Sequence, residues 1–125
     1  MTWVALTLAA VTGMALGCSG KQPGTTREPS LRESIVGQVG KAPCSSSSVC
    51  RTIGLGVKPC GGPHEYLIYS TAATDSVRLA REVARYNEAE GNRNREKGLV
   101  SDCRALVRPQ VSCISGQCAA SAGTQ

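Results

Sequence analysis

The sequence predicts a small α+β domain, in which an antiparallel sheet stapled by disulfides packs against one long helix, with a short helix ahead of it. Three observations point there. Seven cysteines stand in 125 residues that hold no Phe, three Tyr and a single Trp. The alternating stretch from Thr52 to Lys58 runs into Pro59-Cys60-Gly61-Gly62-Pro63 and then into Tyr66-Leu67-Ile68-Tyr69. From Ser76 to Lys97 there is no proline, and apolar residues recur at helical spacing. A chain this short makes one domain. A core of Val, Ile, Leu, Ala and a few Tyr leaves little margin over chain entropy. Disulfides, typically worth about 2–4 kcal/mol each, meet such a deficit, and they require an oxidising compartment.

The first segment, MTWVALTLAAVTGMALGCSG, carries no charge. It is too short and too interrupted by Thr and Gly for a spanning helix, and reads as a secretory signal over 1–17 without the usual basic start. Its ending, Ala15-Leu16-Gly17-Cys18, resembles the lipobox of bacterial lipoproteins, with Leu16 in the second place rather than the third. The resemblance implies cleavage before Cys18 and acylation of its thiol by a chain such as palmitate. Ser19, where Asp resembles an inner-membrane retention signal, points to the outer membrane in a Gram-negative cell. Residues 18–29 are polar and rich in Gly, Pro and Thr, as in a flexible tether.

The domain proper is expected over 30–120. Ser30 and Glu33 fit a capping box, and Leu31, Ile35 and Val39 share one face of a helix over about 30–39 that Gly40 stops. Ile53, Leu55 and Val57 form the apolar side of a half-buried strand. Gly54 and Gly56 on its other side imply a close neighbour or a bulge. The turn after it joins this strand to the one at 66–69 as an antiparallel hairpin. Thr74 or Asp75 caps the long helix. Leu79, Val83 and Tyr86 form its buried stripe, and Arg78, Arg81 and Arg85 a solvated face with Glu82 and Glu88. Gly91 is expected to kink or end it, and Gly98 to cap it. Segment 99–103 returns the chain to the sheet, and 105–107 is a short strand candidate before Pro109. VSCISGQCAA is a hairpin whose turn, Ser115-Gly116, sets Cys113 opposite Cys118 on one face. Residues 121–125 form a disordered tail.

Without Cys18 six cysteines remain: Cys44, Cys50, Cys60, Cys103, Cys113 and Cys118. An even number suits a closed set. Cys113 and Cys118 can bond to each other or reach Cys44 and Cys50. The preferred pairing is Cys60 with Cys103, and Cys44 and Cys50 with Cys113 and Cys118 in either order, because it closes long loops.

No reaction is legible. Gly54 and Gly56 lack the third glycine and the helix of a dinucleotide loop. His64 lies four residues after Cys60, but a half-cystine offers no thiolate for a nucleophilic pair. The cysteine spacings contain no CxxC, so no zinc site and no cofactor is expected. The net charge of +5 favours anionic lipid or glycan, while export and the scarcity of aromatics speak against nucleic acid.

The pattern C-x5-C-R-T-I-x-x-G-x-K-P-C-G-G-P-x-x-Y-L-x-Y-S, then T-D, a helix containing Y-N, G-L-V-S-D-C, P-x-V-x-C and G-x-C, looks like a family of small, uncharacterised bacterial lipoproteins. It spans nearly the whole exported domain and brings no activity with it. The expectation is a non-enzymatic cell-envelope lipoprotein, held to the membrane by its lipid, that binds an envelope protein or supports an assembly. One alternative is a protease-inhibitor-like module presenting the turn from Lys58 to Glu65. The other is a small periplasmic enzyme in which His64, Glu65 and Asp102 meet near a Cys60–Cys103 staple.

Overall fold

A computed structural model describes residues 30–122. The expected signal segment, Cys18, the tether and residues 123–125 lie outside the described residues. The elements run α1 (Leu31–Val39), a 3-10 turn (Ser47–Val49), β1 (Cys50–Leu55), β2 (Glu65–Ser70), α2 (Ser76–Glu96), β3 (Val111–Ile114) and β4 (Gln117–Ala120). This is the expected α+β, disulfide-rich architecture. The strands form two separate two-stranded antiparallel sheets, β1–β2 and β3–β4, rather than one.

The β1–β2 hairpin is the middle layer. Its register pairs Ile53 with Leu67 and Thr52 with Ile68. Successive side chains of a strand point to opposite faces. Ile53, Leu55, Leu67 and Tyr69 therefore face one way, and Cys50, Ile68, Gly54 and Tyr66 the other. The first set joins Ile35, Leu79 and Val83 from the two helices, with Leu31, Val39 and Tyr86 around them. The second face carries Cys50 and Ile68 into a smaller cluster with Ala42, Val111, Cys113 and Cys118. Half of the interior is thus aliphatic and the other half largely sulfur.

Both helices start as their sequences dictate. Ser30 and Glu33 close a reciprocal capping box on α1. The Asp75 carboxylate accepts the Val77 and Arg78 N–H groups at the start of α2. Thr74, the other expected cap, instead donates its hydroxyl to the Gln38 carbonyl at 3.0 Å and so ties the end of α1 to the start of α2. Gly91 does not end α2, which runs on to Glu96. It is buried within the helix, where an added Cβ would meet only the Arg95 guanidinium at 3.6 Å. Gly98, at φ 57°, does follow the helix end.

The β3–β4 hairpin turns through Ser115 and Gly116, both at positive φ, as a two-residue turn matching strand twist requires. Cys113 and Cys118 are Cα partners. The edge of β4 is extended by residues 42–44: Cys118 N–H donates to the Ala42 carbonyl and Cys44 N–H to that of Gly116. Neither 99–103 nor 105–107 pairs with a sheet. The edges that would receive them are bypassed, and the segment is held by side-chain contacts instead, among them Lys58 Nζ on the Arg104 carbonyl at 2.7 Å.

The six described cysteines form three bonds: Cys44–Cys113, Cys50–Cys118 and Cys60–Cys103. The first two close sequence separations of 69 and 68 residues. Chain-entropy arguments assign about 4 kcal/mol to closing a loop of that length. Because the two loops nearly coincide, the second bridge closes only the short ring between neighbouring cysteines and adds less.

Glu82 links the helices. Its carboxylate accepts from Arg78 Nε at 3.0 Å, from Ser34 Oγ at 3.1 Å and from Gln38 Nε2 at 2.5 Å. The Arg78 bond, aided by those from Ser34 and Gln38, lowers its pKa from the ordinary 4.5. A depressed carboxylate contributes stability that is complete above the unfolded value and disappears as pH falls through the folded one. Glu82→Gln is therefore expected to flatten the acid-side loss of stability below about pH 4.5. Urea unfolding at a series of pH values checks this; a pH dependence identical to that of the parent would refute it.

Candidate functional site

The end of the β1–β2 hairpin is held by the second half of α2. The apolar stripe Leu79, Val83, Tyr86 does not stop there. It continues at helical spacing in polar residues: Asn87, Glu90 and Asn94. Each reaches the backbone just past β1. Asn87 Oδ1 accepts the Gly56 N–H at 2.8 Å, and its Nδ2 donates to the Gly54 carbonyl at 3.3 Å. Glu90 Oε2 accepts the Val57 N–H at 2.7 Å, and Asn94 Nδ2 donates to the Val57 carbonyl at 2.6 Å. Backbone groups that a third strand would have paired are satisfied by a helix face instead.

Gly56 makes this approach possible. It sits at φ 82°, and a Cβ there would lie 2.7 Å from His64 Cδ2 and 2.8 Å from Glu90 Oε2. Gly54, on the opposite face, is crowded by a side chain rather than by backbone: a Cβ would meet that of Pro63 at 3.0 Å. The turn closes on itself through Lys58 N–H to the Gly62 carbonyl and Gly61 N–H to the Lys58 carbonyl.

Two clefts share His64 and Glu90 as a common wall, and Gly56 lines the first of them. One, of 260 Å³, is bounded by Arg32, Glu65 and Tyr86. The other, of 330 Å³, opens between Pro59 and the end of α2 toward Leu99 and Val100. His64 Nε2 stands 4.0 Å from Glu90 Oε2, a pair that attracts only when the imidazole is protonated. Arg32 and Glu65 form an ion pair at 2.6 Å across the rim. That hydrogen bond, and the charge behind it, hold the Arg32 guanidinium above its ordinary pKa.

His64, Glu65 and Asp102 do not converge. His64 faces Glu90, Glu65 takes Arg32, and Asp102 lies 3.8 Å from Lys58 Nζ and 3.9 Å from Arg104 Nε. Among the described residues, no hydrogen bond or ion pair joins any two of the three. All six described cysteines are bonded, so Cys60 offers no thiolate beside His64. The sulfurs of Cys44, Cys50 and Cys118 cluster closely enough to suggest metal ligands. Two of the three are bonded to each other and Cys44 to Cys113, so none offers a thiolate to a metal.

The Asn87–Glu90–Asn94 stripe is invisible to a search for apolar periodicity, because the residues that continue the buried face are polar. The signal was present: the spacing persists and only the polarity changes. No protein-family model, curated protein or solved structure matches this chain.

Asn87→Ala removes two hydrogen bonds and leaves the Gly56 N–H and Gly54 carbonyl partly buried without partners. The expected cost is about 1–3 kcal/mol, measured by equilibrium unfolding. A change under a few tenths would show that the polar stripe does not hold the hairpin.

Proposed function

We propose that this chain is an exported cell-envelope lipoprotein, acylated at Cys18, whose disulfide-rich domain binds or supports an envelope partner and catalyses nothing. The carrying observation is the cysteine count. Six of the seven cysteines bond to one another within the described residues, which leaves Cys18 as the odd one in the count. It follows Ala15-Leu16-Gly17, the ending that resembles a lipobox. The three disulfides favour an oxidising compartment. The separate engagements of His64, Glu65 and Asp102 favour a binding role over an enzymatic one.

The inhibitor-like reading gains nothing from the turn at 58–65. Its cation, Lys58, donates to the Arg104 carbonyl and lies near Asp102, with its side chain only 16% exposed. It is folded back on the protein rather than offered to a protease pocket.

A non-reducing intact-mass measurement of the protein from its own host tests the proposal. The expected species begins at Cys18, carries acyl chains and lacks six thiol hydrogens. An unmodified Cys18, or titratable thiols in the domain, would overturn it.

A further inference from the structure

After α2 the chain runs from Leu99 to Gln110 without helix or strand. Four of the seven large hydrophobic side chains exposed among the described residues fall here, Val100 at 92% and Val107 at 87%, with Leu99 and Leu106 beside them. Such a concentration marks an interaction surface rather than scattered apolar residues. The segment is pinned, not loose. Cys103 is bonded to Cys60, Leu99 N–H donates to the Asn94 carbonyl, and Lys58 holds the Arg104 carbonyl.

Cations flank the apolar residues. Arg93 and Lys97 line the same cleft as Leu99 and Val100. Arg104 and Arg108 bracket Leu106 and Val107 in the chain, and the Arg104 side chain is 88% exposed. The segment's one carboxylate, Asp102, already faces Lys58 and Arg104. Cations outnumber the neighbouring carboxylates, Glu90 and Asp102, around these aliphatic tips, and that balance complements a surface that is apolar beneath and anionic on top.

We propose that segment 99–108 is a membrane-contacting loop, seating Val100, Val107 and their aliphatic neighbours among the headgroups of an anionic bilayer. Arg93, Lys97, Arg104 and Arg108 meet the lipid phosphates. Backbone without helix or strand pairing cannot enter hydrocarbon without losing its hydrogen bonds to water, so the loop stops at the headgroup level. This rests on the reading of the chain as a membrane-tethered protein. Residues 18–29 span at most about 40 Å when fully extended. A contact too weak to hold a free protein then acts at high effective concentration and fixes which side of the domain faces the membrane.

The test uses the mature chain, from residue 18 onward and carrying Cys18→Ser, so that neither the apolar signal segment nor an acyl chain contributes, and sedimentation with vesicles of equimolar phosphatidylglycerol and phosphatidylcholine or of phosphatidylcholine alone. The expected result is preferential binding to the anionic vesicles that weakens as salt rises. Adding Val100→Asp and Val107→Asp, both at exposed positions, should reduce that binding about tenfold with an unchanged near-ultraviolet circular dichroism spectrum. Arg104→Gln with Arg108→Gln should reduce its salt dependence. Equal binding by the valine double variant would overturn the proposal. So would a dimer, seen by light scattering, that this variant dissolves without changing vesicle binding, since a second copy would then be the occupant. Failure of acylation at Cys18 is read separately from the mass of the unmodified chain and leaves these outcomes unaffected.

Discussion

Cys50–Cys118 sits where the two hairpins meet. Cys50 opens β1 on the face turned away from the helices, and Cys118 is the one buried residue of the second hairpin. Cys44–Cys113 lies beside it, because Cys113 and Cys118 face each other across β3–β4. The two bonds together fix that hairpin in position and in rotation over β1–β2. A two-stranded hairpin alone is marginal in water, and the apolar residues available to it here are Val111, Ile68 and small side chains. The covalent tie replaces burial that the composition cannot supply. On the other face of β1–β2, Ile35, Leu55, Leu79 and Val83 make an ordinary, small aliphatic core.

The same shortage shapes the far end of the hairpin. Beyond Leu55 and Tyr86 no apolar pair remains to join strand to helix, and Asn87, Glu90 and Asn94 take over by reading backbone amides and carbonyls. Gly56 is the residue that admits them. The result is a rigid, polar junction with clefts on either side of His64 and Glu90. Its carboxylates and amides are already committed to the protein itself.

Elements that depend on local chemistry were legible in the sequence. The capping box at Ser30, the alternation at 53–55, the Ser115-Gly116 turn and the α2 stripe each encode their own structure within a few residues; the alternation expected to reach Val57 stops at Leu55, because Gly56 turns to positive φ. The opposition of Cys113 and Cys118 followed from the turn, which left them either to bond to each other or to reach Cys44 and Cys50 together; the preference for long loops pointed to the second. Which of these met which was not legible, because both orders satisfy the same hairpin geometry. The strand expected at 105–107 failed for a related reason. Ala105, Leu106 and Val107 are a short apolar run, but a strand exists only with a partner, and the bond from Cys60 to Cys103 holds the chain away from either sheet. The split into two sheets and the continuation of α2 through Gly91 are likewise tertiary outcomes. So is the engagement of Lys58 with the Arg104 carbonyl, which draws its cation out of the turn that seemed to present it.

The central claim is that sulfur bridges supply the stability this undersized interior lacks. The most direct measurement compares the oxidised chain with the same chain reduced and alkylated, at 25 °C without denaturant, by near-ultraviolet circular dichroism of its tyrosines and by thermal unfolding. Removing native disulfides from so small a domain costs about 2–5 kcal/mol each, so the account predicts loss of the tertiary signal and of any cooperative transition on reduction. A reduced chain that kept both, with a midpoint within a few degrees of the oxidised one, would contradict it.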